Sequence, residues 1–357
     1  MRDIPLPLLI LRESAVAHNV RLMQDWCEAH QVSLAPHGKT SMAPELMRRQ
    51  IEAGAWAMTA ATVQQLVVMR DAGASRLLLA NQIVGGPEIA WLDRERGDAE
   101  LLVLVDSLDG VAALAAGVTR PLGVLVELGG TRAGCRTDEQ ALAVAEAVEA
   151  APELVLAGVE GYEGTYGSDR SPATLAAIDA FLDRVCRFAE TLDARGAFAG
   201  LDEVVVTAGG SVFFDRVAAR LRPSLSRPVR VVVRAGSYVT HDDVLYAEST
   251  PLPELRAALE LWARVLSCPE PGLAIAGFGK RDAPYDLGLP VVRSHPGVEV
   301  TALNDQHAFL ADPGGALRVG NAVVCGISHP CTAFDKWPLI GVVDDDDVII
   351  GVVETRF

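Results

Sequence analysis

The chain predicts a (β/α)8 TIM-type barrel followed by a mostly β C-terminal domain, and three observations carry that reading. From about residue 30 to 235, short β-branched or apolar runs alternate with longer helical stretches. After about residue 240 the rhythm changes to short extended segments between turn residues such as Gly277-Phe278-Gly279 and Asp312-Pro313-Gly314-Gly315. With 357 residues, 50% of them hydrophobic, the chain can bury one large core or two moderate ones. Two domains follow: a barrel over 14–238, and a β-rich part over 239–357 joined by 1–13.

Eight runs read as the barrel strands, around 32–37, 55–60, 76–81, 101–105, 122–128, 155–161, 203–207 and 229–234. Such a barrel places its chemistry at the C-terminal strand ends. The helix after the first run is well signalled, with Ser41 as a cap, Pro44 near the first turn, apolar Leu46, Met47 and Ile51, and Gly54 as the stop. Leu6 to Leu11 precedes the first barrel element and can add a strand to the second domain. Asp344 to Asp347 lie between two apolar runs; a solvated hairpin turn explains them, since the ligand spacing of a calcium loop is absent.

Charge narrows the partners. Lys+Arg 31 against Asp+Glu 47 gives 31 − 47 = −16, a field that repels phosphate backbones and anionic membranes, so neither nucleic acid nor membrane is expected. The apolar opening is short, holds Pro5 and Pro7 and is followed by no small-residue cleavage site. No other run approaches the ~20 apolar residues needed to span a bilayer, and the expectation is a soluble, cytoplasmic protein. Cysteines 27, 135, 186, 268, 325 and 331 show no pairing rhythm, so most should be buried small hydrophobes rather than a disulfide framework.

Lys39 stands in Leu34-Ala35-Pro36-His37-Gly38-Lys39-Thr40, where an apolar strand delivers it to a strand end before a proline-started helix. A barrel enzyme would place a reactive amine there. Strands seven and eight run into Thr207-Ala208-Gly209-Gly210-Ser211 and Arg234-Ala235-Gly236-Ser237-Tyr238, small-residue exits of the kind whose N–H groups and hydroxyls cradle phosphate. A phosphate nest facing a lysine is what pyridoxal phosphate requires. Arg132 follows strand five, where it either meets the cofactor's phenolic oxygen or forms a surface ion pair. Tyr162, after strand six, either packs on the cofactor ring, meets a substrate or fills the barrel mouth, and His37 either orients the lysine or cofactor or packs inside.

His329 and Cys331 stand two apart in Ser328-His329-Pro330-Cys331-Thr332, on one face if that segment is extended. Imidazole plus thiolate suits zinc, and two protein ligands leave positions for water and substrate. His307 is a further candidate for the same cleft, as a proton donor or a group behind the ligands.

These motifs, in this order, resemble the D-serine dehydratase-like and D-threonine aldolase-like enzymes, relatives of the alanine racemase N-terminal domain. The carriers are Pro36-His37-Gly38-Lys39-Thr40, Arg132-Ala133-Gly134, Gly209-Gly210-Ser211, Arg234-Ala235-Gly236-Ser237-Tyr238 and His329-Pro330-Cys331-Thr332. The resemblance implies fold type III pyridoxal phosphate architecture, usually a homodimer. It makes Lys39 the Schiff-base lysine and Arg132 the contact to the pyridine hydroxyl. It assigns Gly209, Gly210, Gly236 and Ser237 to phosphate, and His329 and Cys331 to the metal. The chain departs from the family at Tyr162-Glu163-Gly164, where many relatives carry histidine after the aromatic, and at Gln306-His307, where Glu-His is common. Within the family, His-x-Cys looks like the zinc-dependent dehydratases and His-x-Asp like the aldolases. The implied reaction is dehydration of a D-β-hydroxy amino acid such as D-serine or D-threonine to a 2-oxo acid and ammonia. Lys39 would remove the Cα proton while zinc assists departure of hydroxide. Retro-aldol cleavage to glycine and an aldehyde is the nearest alternative; a racemase or a non-catalytic cofactor carrier stands further off.

Overall fold

The computed structural model describes residues 4–357. The chain divides into two compact units, one formed by Gln24–Lys39 and Met47–Gly236, the other by the segment up to Met23, Thr40–Leu46 and Ser237–Phe357.

The first unit is the expected barrel. Its strands are β2 (Ser33–Leu34), β3 (Met58–Ala60), β4 (Arg76–Gln82), β5 (Glu100–Val105), β6 (Leu122–Leu128), β7 (Leu154–Gly161), β8 (Val204–Ala208) and β9 (Val229–Val233). All neighbours pair in parallel in the order β2-β9-β8-β7-β6-β5-β4-β3. The ring closes through a parallel bridge of His37 with Thr59 and the bonds Trp56 N–H to Leu34 O (2.8 Å) and Thr59 N–H to Pro36 O (2.8 Å). The strands read as continuous apolar runs because both faces of a parallel sheet are covered. Ala35, Leu78, Leu102, Leu104, Leu125, Val205 and Val232 fill the interior. Thr62, Ser107, Thr137 and Ser171 cap the helices that cover it, each accepting a backbone N–H of the first turn.

The second unit is built on a mostly antiparallel sheet. Its strands are β1 (Leu8–Arg12), β10 (Leu259–Glu270), β11 (Leu273–Ala276), β12 (Val291–Val292), β13 (Glu299–Leu303), β14 (Ala308–Ala311), β15 (Ala322–Gly326), β16 (Leu339–Val343) and β17 (Ile349–Glu354). The N-terminal strand does join it: β1 lies antiparallel to β10 and parallel to β16. The four aspartates form the turn from β16 to β17, where Arg12 reaches Asp347 (2.8 Å) and the carbonyl of Asp344 (2.9 Å). All six cysteines are free; Cys27, Cys135 and Cys325 are buried, half of the six rather than most, while Cys186 and Cys331 are half-buried and Cys268, near the end of β10, is exposed. Among the described residues no helix is long and apolar enough to cross a membrane.

Candidate active site

In the barrel unit, the C-terminal strand ends gather a polar network around Arg234. That residue follows β9 and is 2% exposed. Its Nη1 donates to Thr207 Oγ1 (2.9 Å), and its Nη2 donates to the Glu160 carboxylate and to Gly161 O (3.3 Å). The ladder explains the meeting, since Glu160 of β7 pairs with Thr207 of β8 on one side and with Glu127 of β6 on the other. Gln82 of β4 donates to Glu127. Burial first, then the neighbouring Glu160 charge, pushes the Glu127 carboxyl up to about 8. Burial likewise raises Glu160, against the pull of Arg234.

Lys39 stands exposed in a 3-10 turn, Gly38–Thr40, immediately after the bridge that closes the barrel. His37, two residues earlier, is held far below the usual imidazole range by burial and then by the positive charges of Lys39, Arg234 and Arg132. It is therefore a neutral ring at physiological pH. The loop after β6 is pinned by Gly134 N–H to Asp106 Oδ2 (2.9 Å), and it carries Arg132 onto the face of Tyr162 at 4.3 Å from the ring centroid. Arg132 thus makes a cation–π contact, and among the described residues it forms no carboxylate pair.

The exits of β8 and β9 approach their surroundings too closely for side chains. A Cβ on Gly236 would stand 2.6 Å from the carbonyl oxygen of His37, and a Cβ on Gly209, at φ +145°, would stand 2.8 Å from Arg234 N. Gly236 N–H donates to Ser211 Oγ (3.3 Å). Gly210 N–H, expected to face a phosphate, donates instead to Glu163 Oε1 (2.8 Å). Glu163 is fully buried, and burial raises its carboxyl. The Glu163 carboxylate thus takes one donor of the glycine-lined exit.

Four buried polar atoms of this mouth have no hydrogen-bond partner among the described residues: His37 Nδ1, Arg234 Nε, Glu160 Oε2 and Glu163 Oε2. Buried polar groups are ordinarily satisfied, so this concentration marks the place of a polar ligand. With a lysine amine, a glycine-lined exit and Ser211, the residues fit pyridoxal phosphate. A separate cavity of about 710 Å³ opens on the N-terminal strand ends, lined among others by Trp56, Arg76 and Arg96. It is the wrong end for barrel chemistry, and Arg76 and Arg96 are paired there with Glu100 and Asp93.

In the second unit, His329 and Cys331 meet, though not as neighbours on a strand. β15 ends at Gly326, His329 is extended, and Cys331 lies in a 3-10 turn, Pro330–Thr332. Proline at 330 cannot continue a ladder, so the chain turns and folds the thiol back toward the imidazole. Thr40 Oγ1 (3.4 Å) and Ser237 Oγ (3.5 Å) contact Cys331 Sγ, and Ser237 also donates to Tyr246 Oη (3.1 Å). Burial opposes ionisation of the thiol, but hydrogen bonds from His329, Thr40 and Ser237 outweigh it and lower the Cys331 value. Burial lowers His329, yet Cys331 and Asp286 overcome it and raise the ring to about 9. Surroundings that favour a proton on the imidazole beside a thiolate favour a cation in its place.

Among the described residues no group of three or more His, Cys, Asp or Glu is placed to hold an ion. The donor set is a soft pair with open positions, which fits a catalytic rather than a structural zinc. Ser237 and Tyr238, read from sequence as cofactor contacts, form a buried 3-10 turn in this unit. His307 stands exposed on the turn from β13 to β14, its carbonyl accepting from Asn304 N–H (2.8 Å). Asp286, Thr40 and Tyr246 were not anticipated; only Thr40, as the residue following Lys39, stood within a noted motif.

A closed parallel barrel with a lysine at its first exit and a polar, glycine-lined mouth, accompanied by a β-rich unit carrying an imidazole–thiol pair, is the architecture of a barrel enzyme. Residues 11–211 match the alanine racemase N-terminal domain and residues 258–343 match the putative serine dehydratase domain. The chain belongs to the alanine racemase N-terminal domain family. It is 28% identical over 357 residues to a D-threonine aldolase of Arthrobacter sp, covering 98% of this chain and 90% of that one. A D-threo-3-hydroxyaspartate dehydratase of Delftia sp. (strain HT23) is 27% identical over 333 residues, covering 87% and 84%. The crystal structure of D-threonine aldolase from Filomicrobium marinum superposes with a TM-score of 0.86 at 27% identity, covering 99% of this chain and 96% of that one.

Proposed function

We propose that this protein is a pyridoxal phosphate- and zinc-dependent lyase that dehydrates a D-β-hydroxy amino acid to a 2-oxo acid and ammonia. The observation that carries the choice is the donor pair His329–Cys331, a cysteine sulfur where the resemblance associates a carboxylate with the aldolases. In the proposed division of labour the barrel, 14–238, serves the cofactor and the β-rich part, 239–357 with 1–13, serves the metal.

Lys39 would hold the cofactor through its amine and take the Cα proton of the substrate. The cofactor, when bound, supplies a sink for the electron pair left at Cα. Gly209, Gly236 and Ser211 would seat the phosphate, and Arg132 would meet the phenolic oxygen from its position over Tyr162. His37 stays neutral and so adds no charge beside the amine. His329 and Cys331 would hold a zinc ion, which as a Lewis acid assists loss of hydroxide. His307, on its exposed turn, would serve as a proton donor. A lysine serving one face of the cofactor demands one hand at Cα, and the resemblance makes that the D hand.

A second reading, retro-aldol cleavage to glycine and an aldehyde, is favoured by the D-threonine aldolase relative that spans 98% of this chain. Incubation with D-serine, D-threonine and D-3-hydroxyaspartate, followed by quantification of oxo acid, ammonia and glycine, separates the two. Equal amounts of oxo acid and ammonia, with the L-enantiomers inert, are expected. Stoichiometric glycine with an aldehyde would move the protein to the aldolases, and interconversion of enantiomers without either product would make it a racemase.

A further inference from the structure

We infer that Asp286 is the positioning residue for the metal: it takes the Nδ1 side of His329 and thereby assigns Nε2 to the ion. The inference rests on the reading of His329 and Cys331 as metal ligands. Asp286 Oδ2 lies 2.7 Å from His329 Nδ1, while its Oδ1 accepts from Thr332 Oγ1 at 2.9 Å. Thr332 Oγ1 is itself 3.3 Å from Nδ1 and closes the 3-10 turn that contains Cys331. One carboxylate therefore ties together the ring of the first ligand and the turn that carries the second.

The loop between β11 and β12 that supplies Asp286 is anchored on both sides. Upstream, Gly279 N–H donates to Asp282 Oδ2 (2.8 Å) and Trp337 Nε1 donates to Asp282 O (2.8 Å). Downstream, Gly288 adopts φ +125°, a left-handed conformation that turns the chain two residues after Asp286. With both oxygens engaged on the Nδ1 side, Asp286 faces away from the position an Nε2-bound ion would take and is not a third ligand. A carboxylate on the far nitrogen fixes the tautomer of a ligating imidazole and increases its basicity. Around the other ligand, Thr40 Oγ1 and Ser237 Oγ lie 3.4 and 3.5 Å from Cys331 Sγ, so each member of the pair has polar neighbours of its own. The competing description is an exposed ion pair of little consequence, which leaves metal binding untouched.

Asp286→Asn and Asp286→Ala in the full chain, each titrated with Zn2+ against a chromophoric chelator and with Co2+ followed by visible absorption, decide between them. Wild-type protein should take up Zn2+ and show a thiolate-bound cobalt spectrum. The alanine variant should bind about 100-fold more weakly and the asparagine variant about 10-fold, with altered cobalt bands and an unchanged melting temperature of the metal-free protein. Equal metal affinities and identical cobalt spectra in all three proteins would overturn the assignment. So would variants whose metal-free form melts much earlier while metal affinity is unchanged, since Asp286 would then be a structural brace. Wild-type protein that takes up neither metal would overturn the metal reading itself.

Discussion

Glu127 and Glu160 face one another across paired strands, and the Arg234 guanidinium pairs with Glu160. The Glu127 carboxyl, held up to about 8, keeps its proton in the folded protein where the unfolded chain, near the ordinary value of 4.5, has released it. The native state therefore binds more protons between those two values, and stability falls as pH rises through that window. Glu127→Gln removes the titration while keeping the amide partner for Gln82. In the cofactor-free protein, the wild-type melting temperature should drop faster than the variant's from pH 5 to pH 8, by on the order of a few degrees. Parallel melting curves across that range would show that Glu127 ionises normally. Neither this acid nor Arg234 stood out in the sequence as a network, because strand register, not spacing, brings residues 82, 127, 160, 207 and 234 together. Lys39 was legible since it ends an apolar strand before a proline-started helix. Asp286 was not, because it lies 43 residues from His329 and its loop carries no periodic signal.

Among the elements, β7 carries a bulge that only one of its residues permits. Val124 pairs with Leu156, but Leu125 pairs with Gly158, leaving Ala157 as the extra residue. Gly158 sits at φ +151°, and a Cβ there would stand 1.8 Å from the carbonyl oxygen of Val205 on β8. The bulge sets the register that carries Glu160 opposite Glu127 and Thr207. Gly158→Ala should cost about 3 kcal/mol or more in urea unfolding, combining backbone strain with overpacking against main chain that cannot move aside. A loss below about 0.5 kcal/mol would mean the bulge tolerates a side chain. All eight barrel strands were readable from their apolar runs. The first is shorter than its run suggested, because Pro36 lacks the N–H a ladder needs and β2 ends at Leu34. The same chemistry at Pro330 ends the extended backbone at His329 and puts Cys331 in a 3-10 turn, so the condition of a continuous extended segment is not met.

At the scale of the whole molecule, the expected sequence of a barrel and then a β-rich part holds, with β1 returning to the second sheet as its position before the barrel suggested. The division into compact units is less simple in sequence than composition implies: Thr40–Leu46 belongs with the second unit although both flanks belong with the first. Lys39 is the last residue of its segment in the first unit, and Cys331 lies in the second. In the proposed enzyme each unit would hold its own group, cofactor or metal, and turnover would need both. Cys331→Ala, compared with wild type for visible cofactor absorbance, borohydride-fixed label by peptide mapping, zinc content and oxo-acid formation, tests it most directly. The variant should keep the absorbance and the label on Lys39 while losing zinc and at least about 100-fold of turnover. A variant that turns over at the wild-type rate without zinc, or a label on any lysine other than Lys39, would contradict it.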